Sequence, residues 1–82
     1  MVISVFHSKV KEMFSKIKDN TLKDRIVKQF TKIIENPEIG KPMRYNRKDT
    51  KEVYVGSYGL SYIYSKEENK LIFLNLYHKD EQ

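Results

Sequence analysis

Cysteine is absent from the chain. That excludes a disulfide framework, a thiol nucleophile and any cysteine-based metal site, and it makes a reducing cytoplasm the expected setting. No apolar run approaches the ~20 residues needed to span a bilayer. The opening Met1-Val2-Ile3-Ser4-Val5-Phe6 also lacks the charged start and cleavage site of a signal peptide, so neither a membrane span nor secretion is expected. Acids are scarce relative to bases: 11 Asp and Glu face 16 Lys and Arg, leaving a net charge of +5. Such a surface suits an anionic partner. A lysine- and glutamate-rich surface of the thermophile kind accounts for it equally well, because net charge speaks to association rather than chemistry. With no repeat, linker or low-complexity segment, the 82 residues are expected to form a single domain, 1–82. A chain of this size buries roughly 60–65% of its unfolded surface, so its core is small.

The hydrophobic period changes once along the chain. Val2 to Phe6 is β-prone and suits a strand, and Ser8 is a candidate N-cap for a helix that follows. Val10, Met13, Phe14 and Ile17 recur at helical spacing on one face. After Asp19-Asn20 breaks the pattern, Leu22, Ile26, Phe30, Ile33 and Ile34 form a second stripe that ends before Pro37. Both stripes are core faces of an antiparallel helix hairpin. Beyond Pro37 the period becomes two-fold and predicts strands at Met43–Tyr45, Glu52–Val55, Leu60–Tyr64 and Leu71–Tyr77, with a charged turn at 66–70 and a mobile polar loop at 46–51. In the last strand Leu71, Phe73, Asn75 and Tyr77 share one face and Ile72, Leu74 and Leu76 the other. The helices are expected on the more aliphatic second face, leaving an aromatic face open. The fold class is therefore α+β: an N-terminal strand, a helix hairpin and an antiparallel sheet of about four strands.

Five bases, Lys41, Arg44, Arg47, Lys48 and Lys51, face one acid, Asp49, between positions 41 and 51. Such a patch attracts a phosphodiester backbone through counterion release, and Arg44 can grip a phosphate with a planar two-donor fork. Tyr45, Tyr54, Tyr58, Tyr62, Tyr64 and Tyr77 offer stacking platforms for unpaired bases, although about half of them are expected to fill the sheet instead. Metal-free RNA cleavage needs a base for the 2′-hydroxyl, cations for the phosphorane and an acid for the leaving 5′-oxygen. Glu52 is a candidate base, His78 or Tyr54 the acid, and Arg44 and Lys79 the cations. The alternative reading of Glu52 is an ordinary ion pair on a solvated edge. His7 reads as structural or surface-exposed.

Gly40-Lys41-Pro42-Met43-Arg44-Tyr45, the strand–turn–strand run Val53 to Tyr62 and the closing Leu76-Tyr77-His78-Lys79 together resemble the RelE/ParE superfamily of toxin–antitoxin toxins, closest to its RelE-like messenger RNA endonucleases. The resemblance covers nearly the whole chain. It implies a ribosome-dependent endoribonuclease that cleaves by 2′-hydroxyl attack at the A site, uses no cofactor or metal, and is held inactive by a RelB-like, acidic antitoxin. Arg44 matches a family arginine, Lys79 stands for a basic residue at the end of the last strand, and His78 falls where histidine-containing members place an imidazole. Glu52 and Tyr54 stand where other members carry lysines. Gly59 departs from the pattern, standing where the motif Tyr-Arg-Leu-x-Tyr has its arginine. The glycine implies either an attenuated toxin or a replacement that lets a lethal protein be produced, and an arginine there is expected to fit without rebuilding the strand. A ParE-like toxin that inhibits DNA gyrase, or a catalytically silent RNA- or partner-binding module, are the alternatives of the same fold.

Overall fold

The computed structural model describes residues 2–42 and 50–79, with backbone alone at Lys41 and Pro42. Its elements run β1 (Ile3–Phe6), α1 (Ser8–Lys16), α2 (Asn20–Glu35), β2 (Lys41–Pro42), β3 (Thr50–Val55), β4 (Tyr58–Ser65) and β5 (Lys70–His78). Two helices and a mixed sheet give the α+β class expected from the sequence. The strand order is β1-β5-β4-β3-β2, and β1 joins the sheet parallel to β5 while every other pairing is antiparallel.

Each helix begins at a side chain that satisfies otherwise unpaired N–H groups of its first turn. For α1 this residue is His7, whose Nδ1 accepts from the Lys9 N–H at 3.1 Å, so Ser8 is the first helical residue and not the cap the sequence suggested. The imidazole nitrogen takes the acceptor's place there, which gives His7 its structural role. For α2, Asp19 accepts from Thr21 and Leu22 at 3.0 and 3.2 Å. The two apolar stripes then face the sheet: Val10, Ile17, Ile26 and Ile33 pack with Val55, Leu60, Tyr62, Leu71, Phe73 and Leu76 in one core.

The expected helix-facing side of β5 is corrected by this core. Leu71 and Phe73 are buried beneath the helices, then Leu76, while Ile72 and Leu74 are only half-buried. The helices cover the side of Leu71 and Phe73, where Phe6, Phe30 and Tyr62 pack on Phe73, and a bulge then moves burial to Leu76. Ser61 pairs with Asn75 but Tyr62 pairs with Phe73, so β5 holds one extra residue, Leu74, and its alternation changes parity there.

Further along, β3 begins at Thr50 and so takes in the last two residues of the predicted polar loop. The strand expected at Met43–Tyr45 lies outside the described residues, as do Arg44, Arg47 and Lys48. Tyr62 fixes the route from α2 to β2. Its buried hydroxyl donates to the Pro37 carbonyl at 2.9 Å and accepts the Gly40 N–H at 2.8 Å. Gly40 permits this approach, since a Cβ there would stand 2.9 Å from Cζ of the Tyr62 ring. Burial pushes the Tyr62 phenol up from its ordinary value, and the bond from Gly40 opposes that only in part.

Candidate functional site

The open face of the sheet is assembled by register. Glu52, Ser61 and Asn75 form one row across β3, β4 and β5, and Tyr54, Gly59 and Tyr77 form the next. Paired residues of antiparallel strands share a face, so these two rows stand opposite the helices. The Glu52 carboxylate leans from its own row into the second. One oxygen accepts the Tyr54 hydroxyl and the other the Tyr77 hydroxyl, both at 2.7 Å. Hydrogen bonds to an ionised acceptor are short and strong, and two of them restrict the carboxylate's rotation.

Lys79 completes the cluster. Its backbone N–H donates to the Ser57 carbonyl at 2.8 Å, tying the end of β5 to the β3–β4 turn, and its ammonium lies 4.7 Å from the centre of the Tyr54 ring. Tyr54 is half exposed, yet its phenol is raised above its ordinary value. The hydrogen bond to Glu52 is the largest cause, followed by burial and the carboxylate's negative charge, while the Tyr77 hydroxyl acts in the opposite sense. Tyr54 is thus a hydroxyl that keeps its proton beside a carboxylate and a cation.

Gly59 lies directly beneath the Tyr77 ring. A Cβ at 59 would stand 2.5 Å from Cε2 and 2.6 Å from Oη of that ring, so the space expected to receive an arginine is already filled. Any side chain at 59 must first displace that ring, whereas no backbone atom stands in its way.

The remaining sequence candidates divide. Glu52, Tyr54, Lys79 and Gly59 come together. His78 does not join them: it pairs with Tyr58 on the helix side of the sheet, their rings 5.1 Å apart and nearly perpendicular. Lys51 pairs with Tyr62 and so falls on that same side by register. Two sets of residues were missed by sequence reasoning. Tyr77 entered only as a stacking platform, because its contact with Glu52 crosses β4 and depends on a register that the bulge sets. Arg25, Lys28 and Lys32 drew no assignment from the sequence, but with Gln29, Tyr54 and Val55 they line a cleft between α2 and β3. Among the described residues no group of three or more His, Asp or Glu is placed to hold a metal ion, and no helix is long and apolar enough to cross a membrane.

Comparison with known proteins places the chain. Residues 5–82 match the model of the ParE toxin of type II toxin–antitoxin systems, parDE. The chain therefore belongs to that family, within the RelE/ParE superfamily, and is a toxin of a type II toxin–antitoxin system. Its fold is shared with the toxin–antitoxin complex RelBE2 of Mycobacterium tuberculosis (23% identity, 95% of this chain and 93% of that one, TM-score 0.78). It is shared likewise with the isolated E. coli RelE toxin (16% identity, 95% and 84%, TM-score 0.78). The archaeal RelE–RelB complex of Pyrococcus horikoshii is similar too (13% identity, 99% and 98%, TM-score 0.74). No curated protein matches the chain by sequence.

Proposed function

We propose that the protein is a ribosome-dependent endoribonuclease toxin, cytoplasmic, neutralised by a RelB-like antitoxin. The observation that carries this reading is the Glu52 carboxylate held by two tyrosine hydroxyls, beside a lysine, on an open sheet face. In the proposed reaction Glu52 takes the proton of the 2′-hydroxyl, whose oxygen attacks the adjacent phosphorus. The bond to the 5′-oxygen breaks, leaving a 2′,3′-cyclic phosphate, and Tyr54 supplies the proton to that oxygen. Tyr54 replaces His78 in this role because it touches Glu52, whereas His78 faces the other side of the sheet. Lys79 offsets phosphorane charge from beside Tyr54, and Arg44 is assigned the second cation. Lys41, Arg47, Lys48 and Lys51 are assigned to RNA phosphates.

Inhibition of DNA gyrase is the second reading. It is favoured by the family that matches, ParE, and by the occupation of the arginine site by Tyr77. One pair of assays separates the two. Programmed ribosomes incubated with the protein, with RNA ends mapped by primer extension, should show new cuts that Glu52→Gln abolishes, while gyrase supercoiling stays unaffected. Uncut messenger RNA together with blocked supercoiling would replace the ribonuclease reading with the gyrase one.

A further inference from the structure

The cleft between α2 and β3 has a volume of about 250 Å³ and carries a concentration of charge that nothing in the fold requires. Arg25, Lys28 and Lys32 stand at i, i+3 and i+7, which puts all three cations on one face. Like charges three and four residues apart destabilise a helix, and among the described residues none of the three forms an ion pair. Arg25 turns toward the sheet: its Nη1 lies 3.8 Å from where a Cβ on Gly56 would be, at the tip of the β3–β4 turn. The opposite wall includes Tyr54, whose hydroxyl binds Glu52 and whose ring underlies Lys79. Tyr54 therefore borders the cleft as a residue of β3 while its ring belongs to the Glu52 cluster on the other face, so the two sites meet at this strand.

We propose that this cleft is the track along which a single-stranded RNA leaves the Glu52 cluster, with Arg25, Lys28 and Lys32 on its phosphates and the Tyr54 ring beneath a base. The proposal rests on the ribonuclease reading for its choice of RNA, and it adds a surface on α2 that reading does not contain. Seven residues of helix cover about 10 Å, roughly three nucleotides at a stacked spacing of 3.4 Å. Cations along a groove with an aromatic platform at its mouth are the elements by which proteins hold single strands. An acidic peptide would satisfy the charges but leave the exposed aromatic face, half open to solvent, without a function.

The test uses the intact protein and a fluorescent 2′-O-methyl RNA 12-mer, which lacks the attacking hydroxyl and so reports binding without cleavage. Anisotropy is titrated across a salt series for the wild type, for Arg25→Gln/Lys28→Gln/Lys32→Gln and for the control Lys11→Gln/Lys18→Gln. Each lost phosphate contact lowers the slope of log K against log salt by about 0.7, so the triple variant should flatten it by roughly 2 and the control leave it unchanged. Tyr54→Ala should weaken binding roughly fivefold or more with little change of slope, and Tyr54→Phe should restore it. Circular dichroism confirms that each variant is folded. An unchanged slope in the folded triple variant overturns the track, as does wild-type RNA affinity in that variant with loss of binding to an oligoglutamate peptide. Failure of the ribosome assay alongside the expected slopes would instead overturn the cleavage reading and leave the track standing.

Discussion

Gly59 and Tyr77 are cross-strand partners, and the ring of one occupies the space that a side chain on the other would need. That ring continues across β4 to place its hydroxyl on Glu52. The absence of a side chain at 59 and the position of the carboxylate on β3 are thus parts of one arrangement. A side chain at 59 and the Tyr77 ring in its present position exclude each other.

The first prediction concerns this exclusion. Gly59→Ala should destabilise the protein by about 1–3 kcal/mol, the usual cost of adding volume to a filled site. In a Tyr77→Ala background the same substitution should cost less than about 0.5 kcal/mol, because the obstructing ring is gone. Urea denaturation of the four proteins in a double-mutant cycle measures the coupling. Equal costs in both backgrounds would show that the ring and the glycine are independent.

The second concerns Tyr62, whose hydroxyl has partners on both the donor and the acceptor side. Tyr62→Phe leaves the Gly40 N–H and the Pro37 carbonyl short of a partner and should cost about 1–3 kcal/mol. The cost should depend on pH. Because the folded phenol titrates above its unfolded value of 10.0, the folded state favours the protonated form. This contribution is complete below pH 10 and disappears as pH rises through the higher folded value. The stability difference between wild type and Tyr62→Phe should therefore shrink in alkaline solution, and a gap that is constant or widening between pH 9 and 11 would refute the assignment.

A third follows from the cap of α2. Asp19→Ala removes the acceptor for two N–H groups and should lower stability by about 0.5–2 kcal/mol, read from the urea midpoint. Asp19→Asn, which keeps an acceptor oxygen, should recover most of the loss.

What the sequence made legible follows from local rules. Helical spacing placed Val10, Ile26 and Ile33 in the core, and alternation with β-branched and aromatic residues located β3, β4 and β5 to within two residues. The face of β5 was not legible: the helices cover Leu71 and Phe73 and not the more aliphatic side, and one bulged residue at Leu74, which no composition signal marks, then reverses the alternation. The same reversal explains the site. Counting from Leu71 without the bulge puts Tyr77 on the face of Phe73; with it, Tyr77 stands beside Gly59 and His78 beside Tyr58. Glu52 and Tyr54 were legible as neighbours at i and i+2 on one strand face. Their third partner required the pairing of distant strands. The parallel addition of β1 to β5 was hidden for the same reason, as no local pattern specifies which edge a terminal strand joins.

The last prediction joins the charge of Glu52 to the titration of Tyr54. The carboxylate raises the Tyr54 phenol first by accepting its hydrogen bond and then by its negative charge. Glu52→Gln removes the charge and weakens the acceptor, so Tyr54 should titrate at lower pH, closer to 10.0. Difference absorbance of the ionising phenols, with Tyr54→Phe subtracted to isolate this residue, measures the shift directly. Under the proposed mechanism the same substitution removes the base that accepts the 2′-proton, and cleavage should fall by about 10²–10⁴-fold. Glu52→Asp shortens the side chain while keeping the charge, so it should retain part of the activity and loosen the bonds to both tyrosines. A downward shift of Tyr54 with cleavage unchanged would keep the geometry of the cluster and remove Glu52 from the role of base.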